Sequence, residues 1–194
     1  MNNWYRPIWG GMVGAMPTRA DEIRAETATV LASLRGGIWD EEAVDEWDHA
    51  MQAAARAIDD GADDELVLAS ALHDIGHSPL LGGPHAPPDH SGLAARWIVP
   101  PRFGARVGWL AAAHVAAKRY LVATEPGYAV SLSETSVTSL ADQGGADVDP
   151  EFVAHLWHRD ALRLRRYDDA AKDPEAVGAP PIGYVLDLAH RLAR

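Results

Sequence analysis

The chain contains no cysteine, which excludes a disulfide, a zinc-thiolate site, an iron–sulfur cluster and a cysteine nucleophile. Any metal must then be held by histidine and carboxylates, a donor set that suits iron, manganese or zinc. Positive charge is scarce as well: 17 Lys and Arg face 28 Asp and Glu, for a formal net charge of −11. Such a surface repels nucleic acid and anionic membranes, so neither is expected as a partner, and an anionic ligand needs a local positive site. A metal centre would supply one. No apolar run approaches the length that spans a bilayer. The opening "MNNWYRPIWGGMVGAMP" has a single Arg and no apolar h-region, so it does not read as a signal peptide. A soluble, cytoplasmic protein with no obligate protein partner is expected. Strand alternation, internal repeats and low-complexity tracts are also missing, which leaves helix.

Helical periodicity predicts one all-α domain of about eight helices over residues 17–194, preceded by an N-terminal extension over 1–16. Thr18 and Asp21 form a capping-box pattern for a first helix near 19–35, closed by Gly36-Gly37. Asp40 is placed to cap a second helix running to about 59, with the stripe Val44, Trp47, Met51, Ala55 and Ile58. A third, over 63–75, is apolar almost throughout and is expected to stop at Gly76. A fourth is expected from near Asp89 and a fifth over about 102–122. A sixth is capped by Ser131 with Glu134 and ended by Gly144-Gly145. A region opened by Asp149-Pro150 breaks near 158, and a last helix starts at Pro181.

The chemistry concentrates where the third helix ends. In "LASALHDIGHSP", residues 68–79, a buried apolar run leads straight into His73, Asp74 and His77. Unpaired polar groups there cost several kcal/mol unless something compensates them, and a cation held by neutral imidazole and ionised carboxylate is one compensation. Further candidates sit on separate helices, at His49, His90, His114 and Asp168, as in bundles that build dimetal sites from facing helices. His114 and Lys118 are four apart and share a helix face; an ammonium beside a metal ligand makes sense when an anion bridges the two. Taken singly, His49 reads as a satisfied core histidine and Asp168 as a surface carboxylate with Asp169 as competitor, and it is the joint pattern that reverses this. Asp160 is an alternative sixth ligand but reads more simply as a helix cap, Ser136 and Ser139 read as ordinary helix serines, and the arginines of "RLRRYDD" as ion-paired on the helix surface.

Together these residues carry a resemblance. His49, "LHDIGH" at 72–77, His90, "HVAAKRYL" at 114–121, "QGG" at 143–145 and "LRRYDDAAK" at 164–172 resemble the HD-domain superfamily, and within it the mixed-valent diiron oxygenases. The pattern is most similar to the 2-amino-1-hydroxyethylphosphonate dioxygenases and their trimethylated-substrate relatives, with myo-inositol oxygenase more distant. The resemblance implies His49, His73, His90, His114 and Asp168 as terminal ligands of two irons, Fe(II) and Fe(III), and Asp74 as the carboxylate bridging them. It places His77 and Lys118 as catalytic side chains that, with Ser136, Ser139 and Gln143, contact a phosphonate. It implies O2 as co-substrate and cleavage of a C–P bond in a small 1-hydroxyphosphonate, giving a carboxylate and phosphate.

Two positions depart from that pattern. The family carries a Tyr that closes on an iron, followed three residues later by a Glu; here Trp39 and Glu42 stand there. An indole cannot ligate iron, so Trp39 is read as packing on a quaternary ammonium by cation–π attraction, with Glu42 adding charge. His90 is followed by Ser91 where Glu is usual. The alternatives are an HD phosphohydrolase using the same centre on a phosphoester, a diiron oxygenase of another hydroxylated substrate, and a non-enzymatic scaffold.

Overall fold

The computed structural model describes residues 16–36, 44–82, 90–99, 102–176, 180 and 182–194, and among these nine α-helices and two 3₁₀ turns form an all-α bundle with no strand. Asp40, Trp39, Glu42 and His85 lie outside the described residues.

The first helix, α1 (Arg19–Ala32), begins where the sequence places it. The Thr18 hydroxyl accepts from the Asp21 amide, and the Asp21 carboxylate accepts from the Thr18 amide at 2.9 Å. The next helix, α2 (Glu46–Asp59), starts later than expected. Its cap is Asp45, not Asp40: one Asp45 oxygen accepts from the Asp48 amide at 2.8 Å and the other from the Gly36 amide at 2.8 Å. A single carboxylate therefore serves both the exit of α1 and the entry of α2, satisfying donors that helix ends leave orphaned. On α2, Ala50, Ala53, Ala54 and Ala57 are all buried, so the helix buries more than one face.

The third helix, α3 (Asp64–Leu72), buries seven residues in succession, Leu66 to Leu72. Each large aliphatic among them contributes about 1.5–3 kcal/mol on leaving water, which places α3 at the centre of the bundle against α2, α5 (Ala105–Thr124), α8 (His158–Asp169) and α9 (Ile182–Leu192). It ends before His73, and Gly76 is not its cap. Gly76 is absent from the positive-φ glycines; it is required because a Cβ there would lie 2.1 Å from the carbonyl oxygen of His90, the first residue of α4 (His90–Ile98). The intervening 3₁₀ turn, Ile75–His77, runs directly against α4.

Two further caps differ from expectation, and one break falls where it was expected. The cap of α6 (Glu134–Asp142) is Ser133, whose hydroxyl accepts from the Ser136 amide at 3.2 Å. Ser131 instead turns its hydroxyl onto the Tyr128 carbonyl at 2.7 Å within the second 3₁₀ turn. The break expected near 158 is found at residues 155–157, which separate α7 (Pro150–Ala154) from α8, so that this region counts as two helices among the described residues. Asp160 does not cap α8; it sits in the first turn and pairs with Arg106 at 2.9 Å. Among the described residues no helix is long and apolar enough to cross a membrane.

Candidate metal centre

Five elements packed on or beside α3 aim polar side chains at one point. His49 comes from the second turn of α2, His73 and Asp74 from the chain leaving α3, His90 from the start of α4, His114 from the middle of α5 and Asp168 from the last turn of α8. His73 is fully buried, and His49, His114 and Asp168 are buried with it. Ligating atoms of His49, His73, Asp74 and Asp168 all lie within 4.8 Å of one another.

The hydrogen bonds fix how the rings present themselves. Nδ1 of His49 lies 3.0 Å from the Ala171 carbonyl, that of His73 2.9 Å from the Ser70 carbonyl and that of His114 2.6 Å from the Ala111 carbonyl. A carbonyl only accepts, so each Nδ1 is the donor and each Nε2 is left to point at the centre. There, Nε2 of His49 stands 3.3 Å from Nε2 of His73, and Nε2 of His90 3.2 Å from Nε2 of His114. In the His49/His73 pair, where both Nδ1 atoms donate to carbonyls, two lone pairs at that distance need a positive charge between them.

Asp74 joins the two pairs. Its Oδ2 lies 3.1 Å from His73 and 3.5 Å from His49, whereas its Oδ1 lies 3.4 Å from His114 and 3.6 Å from His90. Oδ1 is buried without a hydrogen-bond partner among the described residues, a cost that a cation would remove. Asp168 completes only the first pair, its Oδ1 3.4 Å from His49. The donor set, the orphaned oxygen and the fixed tautomers all fit two cations sharing one carboxylate.

Without a cation, protons take over part of this role. Burial alone would push the His49 ring down, but its contacts to Asp168 and then Asp74 outweigh burial and lift it to about 10; His73 is lifted well above its usual value in the same way. Burial would raise Asp74 and Asp168, yet His73 and Arg165 respectively hold them well below the usual carboxylate range. On the other side, burial drives His114 down to about 3 and lowers His90. A metal at His49 and His73 must therefore displace protons, whereas His90 and His114 are already bare.

An anion-attracting side adjoins the centre. The chain has only two lysines, Lys118 and Lys172, and both reach α6. Lys118, 3% exposed, donates to the Ser139 hydroxyl at 2.8 Å; Lys172 donates to the hydroxyls of Ser133 at 3.0 Å and Ser136 at 3.4 Å. Burial, then the nearby Arg165 charge, pushes Lys118 down to about 8. His77 stacks on His90 with ring centroids 4.5 Å apart and comes within 4.8 Å of ligating atoms of both Asp74 and His90. Gln143 ends α6 with a buried Oε1 that has no hydrogen-bond partner among the described residues. His155 stacks on Trp109 and His190 faces Asp21, both apart from the centre.

Sequence reasoning missed three participants. Arg165 is not ion-paired on the surface, as Arg163 and Arg166 are, but buried against Asp168. The signal was present: Ala161, Leu164, Arg165 and Asp168 follow the i, i+3, i+4, i+7 spacing of one helix face. Glu46 precedes His49 by one turn on the same face; one of its oxygens is buried without a partner among the described residues, and burial, then the Asp74 charge, pushes it up to about 7. Lys172 lies four residues after Asp168, as Lys118 does after His114.

No protein-family model matches the chain. It is 38% identical over 143 residues to a hydroxymethylphosphonate dioxygenase of Gimesia maris, covering 68% of this chain and 70% of that protein. It is 34% identical over 154 residues to a glycine-betaine-forming [1-hydroxy-2-(trimethylamino)ethyl]phosphonate dioxygenase of Leisingera caerulea, covering 71% of this chain and 78% of that one.

Proposed function

This chain belongs to the phosphonate dioxygenase family, and from that premise we propose that it is an O2-dependent diiron oxygenase that cleaves the C–P bond of a small 1-hydroxyphosphonate. The observation that carries the reading is the Asp74 carboxylate, turned with one oxygen to each of two histidine pairs beside a buried lysine. His49, His73 and Asp168 would hold one iron, His90 and His114 the other, with Asp74 shared. The chemistry such a Fe(II)/Fe(III) pair supplies when bound is O2 activation and oxidation at the hydroxyl-bearing carbon. Substrate carbon leaves as a carboxylate and phosphorus as phosphate.

The rest is positioning by the chain. Lys118 and Lys172, with the serine hydroxyls they touch, form a local positive site for a phosphonate dianion on a chain otherwise of net charge −11. Burial keeps water from competing for those contacts and strengthens them. His77 stacks on His90 within 4.8 Å of the ligating atoms of Asp74 and His90, and burial holds it uncharged, pushed down to about 4.

Protein loaded anaerobically with iron should release phosphate from hydroxymethylphosphonate or its 2-amino and 2-trimethylammonio counterparts only when O2 is admitted. Phosphate release from a phosphoester under anaerobic conditions would instead identify a hydrolase. Lys118→Met should raise KM about 100-fold, the loss of a charge-assisted contact worth about 3 kcal/mol. In the unaltered enzyme the ammonium is lost as pH rises through its lowered pKa, and metal charge lowers it further. Log KM should therefore bend upward at or below about pH 8, and that bend should vanish in Lys118→Met.

A further inference from the structure

Arg165 donates from one guanidinium nitrogen to Oδ2 of Asp168 at 2.6 Å, from a second to Oδ1 of Asp169, and from Nε to the Tyr128 hydroxyl at 3.0 Å. The Tyr128 hydroxyl in turn donates to Oδ2 of Asp169 at 2.5 Å. Arg165 is 3% exposed, so water contributes little, and its partners come from the last turn of α8 and from the 3₁₀ turn at 128–131 that follows α5. All five N–H donors lie in one rigid plane. Asp168 is thereby split: Oδ2 takes the Arg165 hydrogen bond and stands 3.8 Å from Nε2 of His73, while Oδ1, without that bond, lies 3.4 Å from Nε2 of His49.

We propose that Arg165 is a positioning residue of the metal centre, which occupies one oxygen of Asp168 so that this carboxylate offers a metal a single oxygen. A carboxylate free to use both oxygens could fill a second coordination position at the same ion and leave one fewer open to another ligand. The proposal rests on the reading of the five histidine and aspartate segments as a metal centre, but not on the substrate or the reaction. Tyr128 and Asp169 serve it by gripping the guanidinium from the side away from Asp168. Lysine cannot replace it, because an ammonium is a point charge without the fork that spans Asp168, Asp169 and Tyr128 together.

The test uses Co(II) as the probe, since its visible absorption reports coordination number independently of turnover. Arg165→Lys keeps the buried positive charge and so the fold, to be checked by its thermal melt without metal; Tyr128→Phe loosens the guanidinium while leaving it in place. Arg165→Lys is expected to weaken Co(II) binding about 10- to 100-fold, the range for losing a partner behind a ligand, and to lower the Co(II) visible absorption as Asp168 swings to two-oxygen binding. Tyr128→Phe should shift both readouts in the same direction by less. Unchanged Co(II) affinity and spectrum in a folded Arg165→Lys, with only KM for a phosphonate raised, would overturn the proposal and make Arg165 a substrate contact. If no phosphonate is turned over by any form, the proposed reaction fails while the Co(II) result still decides the role of Arg165. If the unaltered protein binds no Co(II), the centre itself is refuted and this inference with it.

Discussion

Replacing Asp74 with Asn should leave a folded protein that cannot hold two metal ions. Asparagine keeps the size of the side chain but offers one oxygen, and its NH2 donates hydrogen bonds and cannot ligate. In the structure one Asp74 oxygen faces His73 and His49 and the other faces His114 and His90. Whichever way the amide sits, one histidine pair meets the NH2. Loss of a partner behind a ligand already costs about 10- to 100-fold in metal affinity, so loss of the shared ligand should cost more than about 100-fold at one site. Metal content after anaerobic loading should fall from two ions per chain to one or fewer, with O2-dependent phosphate release falling at least as far. Two retained irons with undiminished turnover would remove Asp74 from the bridging role. Stability without metal carries its own signature. His49, raised to about 10 by Asp168 and Asp74 against burial, contributes stability that is fully present below its unfolded value, near 6.5, and is lost as pH rises through about 10. The variant should therefore melt below the unaltered protein at pH 6, and the gap should narrow toward pH 10.

Gly76→Ala, one methyl group, should disable the other half of the centre. The added Cβ would stand 2.1 Å from the His90 carbonyl oxygen, 2.7 Å from its carbonyl carbon and 3.0 Å from its Cα. These are backbone atoms at the start of α4 and cannot rotate aside, so α4 and the Ile75–His77 turn must separate, by roughly 1 Å to restore ordinary contact. His90 would move with α4, and His77 with the turn. A displacement of about 1 Å in a positioned group costs around 100-fold in rate, and overpacking costs about 1–3 kcal/mol in stability. A crystal structure of the variant should show His90 withdrawn from His114 while the His49, His73 and Asp168 cluster stays in place. Metal content should drop by one ion. Unchanged activity would mean that α4 adjusts elsewhere and that the close approach at Gly76 is unrelated to the site.

Much of the centre was legible because its members are chemically distinctive. Imidazoles at positions 49, 73, 90 and 114 on separate apolar helices, with Lys118 one turn after His114, announce themselves through residue type and helical period. What escaped was decided by neighbours distant in sequence. Asp40 and Asp45 are equally good caps by type, and Asp45 wins because the Gly36 amide also needs its carboxylate. Gly76 resembles a helix terminator until the His90 backbone is seen against it. Arg165 looks like Arg163 and Arg166 until Tyr128 and Asp169 close over it. Glu46 shares a face of α2 with His49, three residues before it, and the same periodicity that identified Lys118 also marks it; Lys172 lies beyond Asp169, where α8 ends, so helical spacing does not place it.

The ligands are also strung far apart along the chain, from position 49 on α2 to position 168 near the end of α8. During synthesis His49, His73 and Asp74 are made first, yet Asp168 and its partner Arg165 emerge only about 50 residues after the last histidine of the cluster, His114. A partly made chain can thus present imidazoles but not the closed cluster. On the proposed reading, fold completion would be a checkpoint on assembly of the centre, and ions held there would act as a cross-link among segments that no disulfide joins. Chelation of the finished protein should loosen it by the binding free energy it withdraws, about 2.7 kcal/mol for metal held at a hundred times its Kd.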